Sequence, residues 1–382
     1  MFYLLGNVLY NIFFHPLRSI PGPKLYAASG LPYATFLARG KWPHVLKALH
    51  DKHGPVVRFS PNDISYISAQ AWKDIYGHAT SDRPTMGKDV RIYRDTLTNA
   101  PNILIANDDD HSRMRRLLSH AFSERSLRSQ EDIMKTYIDK LIVKLRSLGR
   151  QNGSKGAVVD LVRWYNYVTF DLIGDLAFGE SFGCLDGGGY HPWVAMIFKG
   201  FKLAAFMQVL RRYPLAESAL RRFIPRELMV KQREHQLMSL EKARVRAEKG
   251  SGDRPDFMSY ILRHNDERGM SLDEIGENSN ILIVAGSETT ATLLSGTTFW
   301  LLKHPSTYRK AANEVRSNFA KEEDINMTSV SQLKYMLAVL REGLRMYPPI
   351  PSGQPRKVPE GGAFVSGKWV PGGVRSPCPV AR

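Results

Sequence analysis

Midway along an apolar stretch, the run Ala285-Gly286-Ser287-Glu288-Thr289-Thr290 places a carboxylate, two threonine hydroxyls and a glycine where a packed helix would carry aliphatic side chains. An acid beside a hydroxyl can order a water and pass protons through it, the work of a general acid in a nearly dry pocket. A carboxylate in such surroundings has to be paired, wet or functional, because burying it bare is costly. Helical geometry sets Ala285 and Thr289 one turn apart on a shared face, and Gly286 gives up about 1 kcal/mol of helix propensity relative to Ala. A structural reading competes: a kinked core helix whose threonines bond back to their own carbonyls. These six residues alone leave both readings open.

Two further constellations carry charge. His111 and Arg115, in HSRMRRLLSHAF, lie one turn apart and share a face, while Arg116 points elsewhere. They form either a solvated basic surface above inward-facing Leu117, Leu118 and Phe122, or a cationic pair aimed at a buried anion such as a carboxylate ligand. Glu342 and Arg345, three residues apart, can pair along one helix face. An exposed pair of that kind is commonplace and contributes little; one followed at once by Tyr347-Pro348-Pro349-Ile350-Pro351 is not commonplace.

The elements that must position these residues can be read from their flanks. Ser271 and Glu274 stand at capping-box spacing, and no proline intervenes before Pro305, so the spacing predicts one long helix over 271–303. Its apolar content all round predicts burial through the middle of a domain. Asn107-Asp108-Asp109-Asp110 marks the start of the helix that carries His111 and Arg115. VSQLKYMLAVLREGLRMY predicts a helix over 330–347, with Leu333, Met336, Leu337, Leu340 and Leu344 as its core stripe. Helical patterns also cover 41–52, 69–76, 129–148, 158–178, much of 193–250, and 306–319; residues 81–105 read as mostly irregular. Val56–Ser60 and Asp63–Ser68 read as a small hairpin around Pro61-Asn62. PEGGAFVSGKWVPGG reads as a second hairpin turning at Ser366-Gly367. The fold class is therefore mainly α, a large helical domain with a small β-rich annex and no internal repeat.

Composition narrows the partners. A hydrophobic fraction of 43% with 24% charged residues excludes a disordered chain. A net charge of +16 points to nucleic acid, an anionic membrane surface or a negatively charged redox partner. The basic residues are scattered over helical stretches such as Arg211 to Arg246, without an arm or tandem patch, so nucleic acid ranks last. Two cysteines, Cys184 and Cys378, exclude a disulfide framework and favour a reducing compartment. Residues 1–14 are apolar apart from Asn7 and Asn11, too short for a confident membrane span. They also lack the basic leader and small-residue cleavage site of a signal peptide. They read as a partial anchor or interfacial segment, followed at 15–27 by a stiff proline-rich linker.

In order and spacing these motifs resemble those of a cytochrome P450 monooxygenase, of the fungal microsomal kind used in secondary metabolism. Ala285–Thr290 is similar to the family's AGx(D/E)T(T/S) oxygen-activation motif, and Glu342-x-x-Arg345 to the ExxR pair that locks its haem-side core. His111-x-x-x-Arg115 stands in the place of the WxxxR propionate-binding motif, with His for Trp, and Arg356 resembles a second propionate contact. FDLIGDLAFGESFGCL and the PGPK linker also look like this group, and the resemblance runs from about His15 to Gly373. It implies the cytochrome P450 fold, haem b as cofactor and electrons from an NADPH–cytochrome P450 reductase. It also implies insertion of one O2 oxygen into a lipophilic terpenoid or polyketide, at the cytosolic face of the endoplasmic reticulum membrane. It makes Thr289 and Glu288 catalytic. His111, Arg115, Ala285, Gly286 and Arg356 become cofactor contacts, with Gly286 leaving room for oxygen and substrate. Glu342 and Arg345 become structural.

One departure stands out. The family's iron-ligating cysteine sits in an FxxGxRxCxG loop beyond the second hairpin and before a last long helix, and VRSPCPVAR does not match it. Cys378 lacks that context, and Cys184 lies in a glycine-rich loop with a structural role, so no metal ligand is assigned. The expectation is an incomplete P450 domain over 28–373 and an aberrant tail over 374–382. Ligand loop and last helix are absent, and a porphyrin-shaped slot between the Gly286–Thr289 turn and the Glu342–Arg345 helix has no thiolate beneath it. As it stands, such a chain would be inactive. The alternatives are a non-catalytic, membrane-peripheral remnant that binds hydrophobic ligands, and a basic helical nucleic-acid binder.

Overall fold

The computed structural model describes residues 2–80, 83–89, 93, 100–151, 156–213, 217–218, 226–252 and 254–377. The chain divides into two compact units: Met1–Arg94 with Phe201–Ile224 and Ile350–Arg382, and Asp95–Gly200 with Pro225–Pro349. Much of the stretch expected to be irregular, and Cys378, lie outside the described residues.

In the first unit, α1 (Phe2–Leu9) runs into a π-turn at Tyr10–Phe14, and α2 (Lys24–Ala28), α3 (Leu31–Ala38) and α4 (Trp42–His53) follow. β1 (Val56–Ser60) and β2 (Asp63–Tyr66) form the expected antiparallel hairpin around Pro61-Asn62. Both faces of this hairpin are buried, the polar Arg58, Ser60, Asp63 and Ser65 included. Tyr33, Trp42 and Phe59 clasp α3, α4 and β1 with ring centroids 4.5 to 5.2 Å apart. After α5 (Ala69–Tyr76) come β3 (Gly87–Lys88), β4 (Arg356–Lys357), β5 (Ala363–Val365), β6 (Lys368–Val370) and β7 (Arg375–Ser376). The main sheet has the order β1-β2-β7-β4-β3, and β5–β6 is the separate hairpin. Ser366 and Gly367 both have positive φ, 49° and 73°, as a two-residue turn of that hairpin requires. Within the segment read as a tail, Val374 is buried and Arg375–Ser376 are sheet residues.

In the second unit the helices are α6 (Asp108–Ala121), α7 (Glu124–Ser129), α8 (Glu131–Gln151), α9 (Leu161–Phe178) and α10 (Cys184–Gly187). Then follow α11 (Pro192–Leu210, which begins here), α12 (Arg226–Glu248), α13 (Phe257–Arg263), α14 (Leu272–Lys303), α15 (Pro305–Asn318), α16 (Met327–Val330) and α17 (Lys334–Met346). α14 is the long helix, and Ser271 and Glu274 complete its capping box. α9 and α12 pack along it.

Two expectations are corrected. α14 is not buried all round: Phe299 and Leu302 are exposed near its C-terminal end. The helix predicted over 330–347 is divided. Asn326 caps α16, whose last turn ends at Val330, and α17 begins only at Lys334. Of its apolar stripe Leu333 is buried, Met336, Leu337 and Leu340 are half-buried, and Leu344 is exposed.

Candidate functional site

The Thr289 hydroxyl donates to the Ala285 carbonyl at 2.7 Å, so the structural reading of that threonine, back-bonding one turn, is what α14 displays. Ser287 does the same to Ile283 at 2.7 Å. Neither bond consumes the acceptor lone pairs of the hydroxyl, which stay available to a proton donor. Ala285 is exposed and Thr289 half-buried, so this face of α14 is open. Glu288 is half-buried, and its Oε2 is shut from solvent with no hydrogen-bond partner. Burial raises its pKa above the usual carboxylate value. A carboxyl inclined to keep its proton thus stands one residue from a hydroxyl able to accept it. Tyr190, in the same unit, has its pKa pushed up to about 12, first by burial and then by the nearby charges of Tyr167 and Glu288.

Gly286 serves packing. A Cβ there would lie 2.8 Å from Cδ1 of Ile173 on α9, so the space left by the missing side chain is filled by α9. Gly276, Gly296 and Gly343 repeat the device against Leu240, Tyr347 and Thr297. The last two bring α14 and α17 together at Gly296–Thr297, about two turns beyond Thr289.

Glu342 and Arg345 pair as the spacing predicted, with bonds of 2.7 Å from Nε and 2.6 Å from Nη2. The pair is exposed, and it rims a groove of about 460 Å³ whose apolar wall includes Trp300, Val339 and Met346.

On α6, His111 is half-buried and Arg115 exposed, on one face as expected, and Arg115 has no ion pair among the described residues. Sequence reasoning missed Arg113, on the other face. Its guanidinium binds Glu274 at 2.6 and 3.0 Å and Asp110 at 2.7 Å, tying α6 to the first turn of α14. A signal was present in Glu274, whose capping duty left its second oxygen free for a cation. In the first unit, Arg356 has a buried Nε without a partner, and its guanidinium lies 5.8 Å from the Tyr76 ring.

The sequence profile described as Cytochrome P450 matches residues 27–375. The chain belongs to the cytochrome P450 family. It is 48% identical to cytochrome P450 monooxygenase astA of Talaromyces wortmannii over 365 residues, 95% of this chain and 72% of that protein. Cytochrome P450 monooxygenase astJ of Aspergillus oryzae is 44% identical over 97% of this chain and 73% of its own length. The trichothecene C-15 hydroxylase of Fusarium sporotrichioides is 42% identical over 97% and 74%. The family is one of monooxygenases that carry haem and draw electrons from a reductase partner.

Haem brings two carboxylates and an iron, and the described residues meet these demands unequally. Arg115 and the unsatisfied Arg356 Nε are cationic donors of the kind that carboxylates need. For the iron, the described residues offer one cysteine. Cys184 is buried, its thiol is pushed up to about 11 by burial, and its backbone N–H and that of Leu185 bond Asp171. The Asp171 carboxylate, by accepting those two N–H groups, holds the α9–α10 corner. Among the described residues no group of three His, Cys, Asp or Glu could hold a metal ion. Arg115 and Arg356, one in either unit, are each suited to a carboxylate, whereas Cys184 is not suited to the iron.

Proposed function

We propose that this P450 inserts one oxygen atom of O2 into a C–H or C=C bond of a lipophilic secondary metabolite such as a terpenoid or polyketide. The second oxygen leaves as water, with two electrons from an NADPH-dependent reductase and two protons from solvent. The observation that carries the reading is the Glu288 carboxyl, buried and inclined to keep its proton, one residue from the Thr289 hydroxyl. In this reading Glu288 gives up a proton and Thr289 hands it on. Arg115, His111 and Arg356 neutralise the cofactor's carboxylates, while Glu342 and Arg345 hold the α17 side. The basic surface suits an acidic reductase face. Residues 1–14 attach the chain to the cytosolic face of the endoplasmic reticulum. Among the described residues no helix is long and apolar enough to cross a membrane, and in this reading residues 1–14 act as a partial anchor or interfacial segment.

A second reading applies to the 382-residue polypeptide expressed by itself, and it is favoured by the burial of Cys184, the one described cysteine, in the α9–α10 corner. The polypeptide then retains haem weakly, turns nothing over, and survives as a membrane-peripheral protein that binds hydrophobic ligands. A carbon monoxide difference spectrum of the reduced polypeptide, after titration with haem, separates the two. A thiolate-type Soret band with product formation supports monooxygenation by this chain. No such band, with a fluorescent lipophile still bound, supports the second reading.

A further inference from the structure

The N-terminal segment inverts the usual burial pattern. Phe2 is 86% exposed, Tyr3, Leu4, Phe13 and Phe14 are also exposed, and α1 buries no residue. The π-turn buries only the polar Asn11. Polar groups hold the segment in place. Asn11 Nδ2 donates to the Ala28 carbonyl at 3.2 Å, and the Asn11 carbonyl accepts from Arg58 Nη1 at 3.0 Å. Arg58, 2% exposed, gives Nε and Nη2 to the Pro61 carbonyl at 3.2 and 2.9 Å, with no ion pair among the described residues. Its backbone N–H reaches the Pro21 carbonyl at 2.7 Å, and a Cβ on Gly22 would collide with the Arg58 carbonyl at 2.2 Å. His15 closes the knot, with Nε2 donating to Asn62 Oδ1 at 2.9 Å and Nδ1 accepting the Leu17 N–H at 3.1 Å.

A guanidinium is a rigid planar fork that fixes the directions of the carbonyls it binds. Buried without a carboxylate, it costs more to place than packing alone justifies. We infer that Arg58 is an orientation latch: it locks the apolar segment to the β1–β2 turn, so that residues 2–14 enter an anionic lipid surface together with Leu25 and Leu31 as one rigid wedge. Leu25 on α2 and Leu31 on α3 are 69% and 60% exposed, and α2 packs on both the π-turn and α3. The charge pattern names the occupant. No Asp or Glu precedes Asp51, whereas Arg18, Lys24, Arg39, Lys41 and Lys47 do, all five of them exposed. Cations beside an apolar surface suit a bilayer with acidic headgroups.

The inference rests on the membrane attachment proposed above, and one experiment separates the two. In a Cys378→Ser background, Leu5→Cys and Leu31→Cys chains are labelled singly with bimane and mixed with vesicles of phosphatidylcholine and phosphatidylserine whose acyl chains are brominated. The latch requires both labels to be quenched. Adding Arg58→Met must keep quenching at position 5 and abolish it at position 31. If Arg58→Met does not fold, a Gly-Ser-Gly-Ser insertion between His15 and Pro16 must give that split in the otherwise unaltered chain. Quenching at position 5 alone without either change makes the segment a loose tether and overturns the latch while membrane attachment stands. Quenching at both positions in the uncoupled variant also overturns it. Quenching at neither position overturns the membrane attachment, and the latch with it.

Discussion

Gly286 of α14 and Ile173 of α9 approach so closely that a glycine Cβ would lie 2.8 Å from Ile173 Cδ1 and 3.1 Å from Cγ1. The site motif is therefore also the seam along which the two helices meet. Gly286→Ala gains about 1 kcal/mol of helix propensity and displaces only the end of a flexible side chain, so it leaves stability nearly unchanged. Gly286→Val overpacks the seam and costs about 1–3 kcal/mol. Ile173→Ala, which opens the same space, should recover part of that loss. Urea denaturation of the two single variants and the double variant measures the coupling; strict additivity would place the valine elsewhere.

Glu288 gives a second prediction with an opposite pH signature. Burial raises its pKa, so its contribution to stability is fully present below the unfolded value of 4.5 and is lost as pH rises through the folded value. Above that folded value the carboxylate is a desolvated charge whose Oε2 has no hydrogen-bond partner among the described residues. Glu288→Gln should raise the thermal midpoint at pH 7 to 8 and leave it unchanged near pH 4. In a haem-loaded, turning-over form, the same substitution should lower the fraction of O2 that ends in product.

In the first unit, Arg375 Nε and Arg212 Nη1 converge on Asp63 at 2.5 and 2.9 Å; Asp63 and Arg375 are buried and Arg212 is largely covered. Burial alone would raise the Asp63 pKa, but the two guanidiniums more than offset it and hold the carboxyl far below its usual range. The stabilisation is therefore present above the unfolded value of 3.8 and falls away as pH drops below it. Asp63→Ala leaves two cations buried and should cost about 3–5 kcal/mol. Arg375→Met should cost less, because Arg212 still neutralises the carboxylate. Denaturant midpoints at pH 7 and pH 3 check both, and the gap between wild type and Asp63→Ala should narrow at the lower pH.

The residues that sequence reading located best are those whose partners are near in the chain. The Ser271–Glu274 box, the Glu342–Arg345 pair and the Ser366-Gly367 turn each follow from local geometry, and each is present. Contacts between distant residues were not legible. Nothing in RRYPL or VRSPC announces that Arg212 and Arg375 meet at Asp63, because that depends on parallel pairing of β2 with β7. Periodicity also overstated burial: it reports which face of α17 is apolar, not whether Leu344 is covered. Nor does the sequence show that Ile173 packs against Gly286, because a missing side chain does not announce its neighbour.

His15 carries the last prediction. Its ring is buried, donating to Asn62 and accepting from Leu17, so the folded segment needs the neutral imidazole. Burial and then the Arg58 charge lower its pKa below 6.5, against a smaller upward pull from Asn62. A group depressed in this way stabilises the fold above the unfolded value, and the stabilisation is lost as pH falls through 6.5 towards the folded value, because the unfolded chain takes up the proton first. Protonation would also set a cation against Arg58 and remove the acceptor that holds the Leu17 N–H. Limited proteolysis of the vesicle-free protein should therefore cut within residues 15–20 faster at pH 5.5 than at pH 7.5. His15→Gln, which keeps a donor but cannot charge, should flatten that difference. Equal pH dependence in the variant would assign the effect to another group and leave His15 a neutral spacer in the knot around Arg58.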